Sequence, residues 1–138
     1  MRHFNKDSRD YAFIDQLEAG ISLTGSDVKS LRTQTPQYKN SKVEIKNGLP
    51  ILQNLYIPPY KYSQNKLQDT THDRLLLLNK KQIARLQSYR NQKYMLIPIA
   101  IYLKGVFFKL EIGIGRKMKK YEKREKIKAK EIAKRIRV

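Results

Sequence analysis

The chain has 138 residues, no cysteine and a formal net charge of +18, from 30 Lys and Arg against 12 Asp and Glu. The absence of cysteine excludes disulfides, thiol catalysis and cysteine-ligated metal centres, and the length favours one domain with a modest core. A positive charge this large is self-repelling in isolation and is typical of a protein that binds a polyanion, either nucleic acid or an anionic membrane surface.

Residues 11–23 predict a long, half-buried strand. Every second residue from Tyr11 onward is apolar except Asp15, which is the period of a strand that packs one face on a core. Glu18 falls on the opposite face. A strongly basic protein therefore exposes an acid on its first clear strand.

A short helix is predicted directly after this strand. Thr24 and Asp27 have the spacing of a capping box, in which each side chain bonds a backbone N–H of the other residue, and Pro36 keeps the helix short. The helix carries Lys29 and Arg32. Two roles remain open for the acid on the preceding strand: an ion pair with one of these cations, or a contact with a bound ligand.

Two hairpins are predicted farther along the chain. Asn47–Gly48 separates the segments KVEIK and LPILQNLYI, and both turn residues tolerate positive φ. The segments YMLIPIAIYL and VFFKLEIGIG form the last strand pair around Lys104–Gly105. Pro98 lacks a backbone N–H, so this pair requires a bulge or a missing ladder bond at that position.

A polar stretch over residues 58–73 lies between the hairpins and has no periodicity. It predicts a loop. A second helix is expected to begin at Asn79, because Asn79 and Gln82 occupy capping positions and Ile83 and Leu86 face inward.

These elements give five or six antiparallel strands with short helices between them. The predicted fold class is mainly β: a small closed antiparallel barrel like the OB-fold, because closure removes exposed strand edges. Residues 1–9 are expected to form a flexible N-terminus, residues 10–115 the barrel, and residues 116–138 a basic C-terminal tail.

The tail differs in composition from the rest of the chain. It holds twelve Lys and Arg against three Glu, which is half of the net charge. Because it has little apolar surface to bury, we predict that it is disordered when free and becomes helical when phosphates neutralise it.

No catalytic constellation is present in the sequence. His3 lies near the terminus and His72 in the polar stretch, and there is no nucleophile motif, metal-ligand spacing or phosphate-binding glycine loop. We therefore predict a protein that is not an enzyme and needs neither a metal nor a cofactor. Phe107, Tyr62 and Tyr121 have polar neighbours and are candidate platforms for stacked bases.

Membrane insertion is not expected. The longest apolar run, YMLIPIAIYL, is too short to cross a bilayer, and the segment MRHFNKDSRD lacks the apolar centre of a secretory signal. The predicted location is the cytoplasm of a bacterium, or an organelle.

Four segments in a fixed order resemble one family, SmpB, the SsrA-binding proteins. They are EAGISLTGSDVKSLR, KNSKVEIKNG, DTTHDRLLLLNKKQI and LEIGIGRKMKKYEKRE. Asp27 stands where this family usually has Glu, and Glu122 where it usually has Asp, so both charges are kept. The resemblance covers the chain from about Asp10 to its C-terminal end.

The resemblance implies a function in trans-translation. A family member binds transfer-messenger RNA (tmRNA, or SsrA RNA) and, with elongation factor Tu held through the RNA complex, delivers alanyl-tmRNA to stalled ribosomes for rescue and tagging of incomplete proteins. Its barrel grips the elbow of the tRNA-like domain, and its tail enters the empty mRNA channel near the decoding centre. We expect a monomer.

The resemblance also implies the site residues by position. Those carried over for RNA binding are Glu18, Lys29, Ser30, Arg32, Leu77 and Asn79. Those carried over for the ribosome contact of the tail are Arg116, Lys117, Lys119, Lys120, Tyr121, Lys123 and Arg124, and Tyr121 takes the position that stacks on a ribosomal RNA base.

A second hypothesis needs only charge and a barrel. A general ribosome-associated or single-strand nucleic-acid-binding OB module would bind RNA with an affinity that follows salt and ignores RNA shape. The two hypotheses differ at Glu18, since removing an acid should not weaken purely electrostatic binding.

Overall fold

Seven strands form one antiparallel sheet in the computed structural model, which describes residues 1–60 and 72–136. The strands are β1 (Arg2–Phe4), β2 (Tyr11–Ile21), β3 (Lys42–Lys46), β4 (Leu49–Gln53), β5 (Arg74–Leu77), β6 (Met95–Lys104) and β7 (Phe107–Lys117). The helices are α1 (Gly25–Thr33), α2 (Lys80–Asn91) and α3 (Lys120–Ile136), and a 3-10 turn spans Lys6–Asp10. The mainly β class with short helices is thus confirmed, with seven strands where five or six were predicted.

The sheet has a linear order, β1-β6-β7-β2-β5-β4-β3. Among the described residues no backbone pairing joins the two end strands, so closure of the barrel is not confirmed. The sheet nevertheless curls, because Cα atoms of β3 come within 8 Å of β6. The edge of β6 that would pair with β3 is occupied in part by β1.

The local structure predicted from short-range signals is confirmed at the helix caps, at one turn and at one bulge. Both capping boxes form, at Thr24 with Asp27 and at Asn79 with Gln82. The turn at Asn47–Gly48 has φ values of 52° and 76°. The register shifts between Pro98 and Ala100, which is the predicted bulge.

Residues 1–9, predicted to be flexible, form β1 and most of the 3-10 turn in the structure. β1 pairs with β6, and Asn5 is buried, with its Nδ2 donating to Pro98 O at 2.8 Å and its backbone N to Ile99 O at 2.7 Å. Tyr38 bridges β1 and β6, because its hydroxyl donates to His3 O at 2.6 Å and accepts from the Ile101 N–H at 3.0 Å. The bulge at Pro98 leaves backbone carbonyl groups without a ladder partner, and the N-terminal segment donates hydrogen bonds to them. The sequence did not reveal β1, because a strand of three residues is too short to show a period of two.

Asp15, the polar exception in the first strand, connects the sheet to α2. Ile14 lies in a bulge of β2, between Phe13 and Asp15, which both pair with residues of β7. The Asp15 carboxylate accepts hydrogen bonds from Arg85 and Tyr89, the latter at 2.8 Å. These bonds, with the Arg85 contact the largest cause, lower the pKa of Asp15.

A buried ion pair fixes the start of α1 to β5. Arg74 is 1% exposed, and its Nε donates to Asp27 Oδ2 at 3.2 Å while its Nη1 donates to Leu55 O at 2.8 Å. Asp27 therefore caps α1 and also neutralises a guanidinium inside the protein. The ring of His72 approaches the same carboxylate at 3.9 Å. This pair lies under the surface that carries the predicted RNA-binding residues.

Candidate nucleic-acid interface

The register of the sheet places several predicted and unpredicted side chains on one outer face. Gly20 pairs with Leu77 on one side and with Lys109 on the other, and Lys109 pairs in turn with Tyr102. Directly paired residues of antiparallel strands lie on the same face. Glu18 is two residues from Gly20 along β2 and so shares this face as well. We call this surface the outer face; its members are Glu18, Leu77, Tyr102, Lys104, Lys109 and Glu111.

Glu18 is held by two residues of β6. Its carboxylate accepts a hydrogen bond from the hydroxyl of Tyr102, and Lys104 Nζ lies 3.2 Å from Glu18 Oε1. The Tyr102 hydrogen bond, followed by the bond from Lys104, lowers the pKa of Glu18. Desolvation first and then the bond to Glu18 raise the pKa of Tyr102 to about 12. At neutral pH the pair is therefore an ionised acceptor and a protonated donor.

A second acid faces Glu18 across the ladder. Glu111 is its direct partner in the β2–β7 pairing, an arrangement that would be destabilising without nearby cations. Arg2 supplies one, with its Nη2 at 2.7 Å from Glu111 Oε2, and its guanidinium lies over the Tyr102 ring at 5.6 Å. Both acids of the outer face are thus in contact with a cation, Glu18 with Lys104 and Glu111 with Arg2.

The proposed pairing of Glu18 with the cations of α1 is not what the structure shows. Among the described residues Glu18 forms its ion pair with Lys104 and none with Lys29 or Arg32. Lys29 Nζ lies 5.6 Å from the centroid of the Tyr60 ring, and Arg32 is exposed. Both cations are available to a ligand at the edge of the outer face.

Ser30 lies inside the protein. It is 1% exposed, and its hydroxyl donates to Pro58 O at 2.5 Å. Its contact holds α1 against the following segment and leaves no surface for RNA. Ser30, predicted as an RNA-binding residue, is thus a packing residue in this structure, whereas its neighbour Lys29 is partly exposed.

Leu77 and Asn79 are both exposed at the junction of β5 and α2. Leu77 ends β5 with 57% of its surface exposed. Asn79 accepts the Gln82 N–H through Oδ1 at 2.8 Å, which leaves its side-chain NH₂ as a donor. Leu77 thus offers an apolar surface for the face of a nucleobase, and Asn79 offers a hydrogen-bond donor for its edge.

The tail, which was predicted to be disordered when free and helical when neutralised, is helical in the structure. α3 begins at Lys120, and its first turn is joined to the N-terminal region by Lys123 Nζ at 2.9 Å from Asp10 Oδ1. Met118 is buried, and its N–H donates to Asp10 O at 2.8 Å. These contacts order the start of the tail, and its Glu residues lie among the cations at helical spacing.

Most of the predicted tail residues are open to solvent. Tyr121 is 58% exposed, and Lys123 and Arg116 make ion pairs, the latter with Glu122 at 3.6 Å. The other predicted tail residues are also exposed: Lys117, Lys119, Lys120 and Arg124.

The two groups of predicted residues lie at opposite ends of the β2–β7 ladder. Lys109 pairs with Gly20 at one end, and Arg116 pairs with Ala12 at the other. Arg116 follows Lys109 by seven positions along β7, a distance of about 20 Å. The residues predicted for RNA binding on the sheet and those predicted for the ribosome contact therefore lie on separate parts of the molecule.

Tyr102, Lys104 and Lys109 were not predicted as site residues. The alternation around Lys104–Gly105 was a signal that Tyr102 and Lys104 share a face. Their contact with Glu18 depends on the long-range register of β2, β7 and β6, which contains two bulges. Tyr62, a predicted stacking platform, and most of the predicted loop lie outside the described residues.

Two kinds of feature are absent from the part of the chain that the structure describes. No group of three or more His, Cys, Asp or Glu side chains is arranged to hold a metal ion. Within residues 1–60 and 72–136, no helix combines the length and the apolar character needed to cross a membrane.

Comparison with known proteins gives one consistent result. The family model described as "SmpB protein" matches residues 3–138. An SsrA-binding protein of Lactobacillus johnsonii is 41% identical over 127 residues, covering 91% of this chain and 84% of that protein. One from Streptococcus thermophilus is 42% identical over 129 residues, covering 92% and 84%. A solved structure described as "tmRNA-SmpB: a journey to the center of the bacterial ribosome" has a TM-score of 0.72 and 34% identity, covering 85% of this chain and 84% of that one.

Proposed function

The chain belongs to the SmpB family, and from this we propose that it is a tmRNA-binding protein of trans-translation. It delivers alanyl-tmRNA to stalled ribosomes, where incomplete proteins are tagged and released. The observation that carries the proposal is similarity over nearly the whole chain, in sequence to SsrA-binding proteins and in fold to an SmpB structure. The tRNA-like domain of tmRNA and the ribosome are the corresponding partners, and elongation factor Tu joins through the RNA.

The outer face and the adjoining α1 bind the RNA. Lys29, Arg32 and Lys109 neutralise phosphates, which makes the affinity depend on salt. Glu18 supplies what these cations lack, an ionised acceptor for the amino or imino groups of an unstacked base. Tyr102 and Lys104 hold its carboxylate in place, and Leu77 and Asn79 provide the neighbouring apolar surface and donor.

The tail carries the ribosome contact. Its helix enters the empty mRNA channel near the decoding centre, with Tyr121 stacked on a ribosomal RNA base and Lys119, Lys120 and Arg124 against phosphates. The exposure of Tyr121 and the separation of about 20 Å between Lys109 and Arg116 along the strand support this division of labour.

Membership of the SmpB family also carries the proposed location, oligomeric state and fold. The protein is a cytoplasmic, monomeric adaptor without chemistry or a cofactor of its own, and its sheet is an OB-like barrel. The approach of β3 to within 8 Å of β6 supports the barrel.

A filter-binding comparison tests the function. We expect the tRNA-like domain of tmRNA to bind far more tightly than an ordinary tRNA at physiological salt. Equal and weak affinity for the two RNAs would overturn the proposal and favour the general nucleic-acid-binding module.

A further inference from the structure

An apolar groove of about 270 Å³ opens at the end of the outer face, between β5, α1 and the β6–β7 hairpin. It is lined chiefly by Leu23, Val28, Leu77, Val106, Phe107 and Lys109. Three of these side chains project into solvent, since Leu77 is 57% exposed, Val106 71% and Phe107 69%. Clustered exposure of large apolar side chains marks an interaction site on a protein of this size.

The hairpin turn places Phe107 at this position. Gly105 has φ of +64°, which lets the chain reverse between Lys104 and Phe107, its partner in the ladder. Phe107 then begins β7 on the same face as Lys109, two residues farther along. The Phe107 ring consequently lies on the same face as Lys104 and Lys109, and most of its surface is exposed to solvent.

The groove is continuous with the proposed RNA surface. Leu77 and Lys109 belong to both, and Val28 of α1 directly precedes Lys29 in the chain. An occupant of the groove would therefore lie between cations on α1 and on β7. This charge pattern suits a polyanion whose charged backbone contacts the cations while one of its planar groups enters the apolar groove.

We propose that the groove binds one unstacked nucleobase of the partner RNA, with the base stacked on Phe107 and its rim against Leu77. This inference rests on the proposed RNA-binding function and deepens it. The volume is sufficient, because a protein cavity of about 150 Å³ holds benzene and this groove is larger and open to solvent on one side. Stacking on an aromatic ring needs no particular base, so the groove contributes affinity and RNA shape selection without reading sequence.

Substitution of Phe107 tests the groove. The probe is a transcript of the tRNA-like domain of Streptococcus thermophilus tmRNA, and the protein is the full chain. We expect Phe107→Ala to weaken binding roughly 5- to 100-fold, with an unchanged dependence on salt because no cation is removed. Phe107→Tyr, which keeps the ring, should retain the affinity. Ile14→Ala is the matched control, since Ile14 is 57% exposed but does not line the groove.

A second variant reports stacking directly. The chain has no tryptophan, so Phe107→Trp introduces a single indole whose fluorescence is quenched when a base stacks on it. We expect quenching by the tRNA-like domain and none by a fully paired RNA stem at equal phosphate concentration. The circular dichroism spectrum verifies that each variant is folded.

The outcomes separate this inference from the function on which it rests. If Glu18→Gln weakens binding of the tRNA-like domain while Phe107→Ala and the tryptophan signal show no effect, the groove does not hold a base and the function stands. If Phe107→Ala binds the isolated RNA normally and loses only ribosome association, the groove binds another component and the inference is overturned. If the wild-type protein does not prefer the tRNA-like domain over ordinary tRNA, the proposed function itself fails.

Discussion

Glu18 on β2 accepts a hydrogen bond from the hydroxyl of Tyr102 on β6, although β7 lies between these two strands. The carboxylate therefore reaches across the outer side of β7, where Lys104 also contacts it. A side chain tied in this way keeps one position without a ligand. For an RNA-binding acid this reduces the conformational entropy lost on binding.

Tyr102→Phe removes the largest cause of the lowered Glu18 pKa. We expect that pKa to rise toward its ordinary value of 4.5, measured by NMR titration of the side-chain carboxyl carbon. Above pH 4.5 the ionised form of Glu18 stabilises the folded state, and this stabilisation is lost as the pH falls through the lowered pKa. Tyr102→Phe should lose part of this stabilisation. Tyr121→Phe is the control, and an unchanged Glu18 titration in Tyr102→Phe would show that the hydrogen bond is not formed in solution.

Glu18→Gln separates a specific acceptor from simple electrostatics. We expect about tenfold weaker binding of the tRNA-like domain, because an amide oxygen accepts a weaker hydrogen bond from a base than an ionised carboxylate does. Glu111→Gln is a matched control, since it removes one negative charge from the position directly opposite on β7. Filter binding should show Glu111→Gln at wild-type affinity or tighter. Tighter binding by both variants would mean that Glu18 acts only as a negative charge.

Arg74→Ala should destabilise the fold. It leaves the buried Asp27 carboxylate without its guanidinium partner, a change that costs about 3–5 kcal/mol. Urea denaturation measures the free energy of unfolding. Arg85→Ala, which breaks the more exposed pair with Asp15, should cost much less, because solvent screens an exposed ion pair. Similar losses in the two variants would contradict the burial of Arg74.

Truncation after Lys119 should separate the two proposed surfaces. It keeps β7 and the buried Met118 and removes α3. We expect the truncated protein to bind the isolated tRNA-like domain with nearly wild-type affinity and to lose tagging in a reconstituted translation assay on stalled ribosomes. Loss of binding to the isolated RNA would place RNA contacts in the tail and refute the division proposed above.

Local signals in the sequence predicted the parts of the fold that depend on neighbouring residues. The capping boxes at Thr24 and Asn79 and the Asn47–Gly48 turn each involve a few consecutive positions. The same is true of the bulge at Pro98, because proline lacks the donor that the ladder needs. A resemblance in ordered motifs supplied the site residues.

Contacts between distant residues could not be predicted in this way. Arg74 lies 47 residues from Asp27, and the segment before it contains no pattern that marks its side chain as buried. Tyr102 is 84 residues from Glu18. An ion pair of Glu18 with Lys29 or Arg32 was one of the two roles that the residues left open. The structure pairs Glu18 with Lys104 instead, because strand register, and not closeness in sequence, places that residue beside it.

The β2–β7 ladder has a consequence for how such a protein can vary. Adding one residue to each strand would turn the side chains at one end onto the opposite face. Adding two to each would keep every face and move the RNA-binding surface about 7 Å farther from the tail. The spacing between the two partners is therefore set by a residue count in two strands, and it changes only in steps.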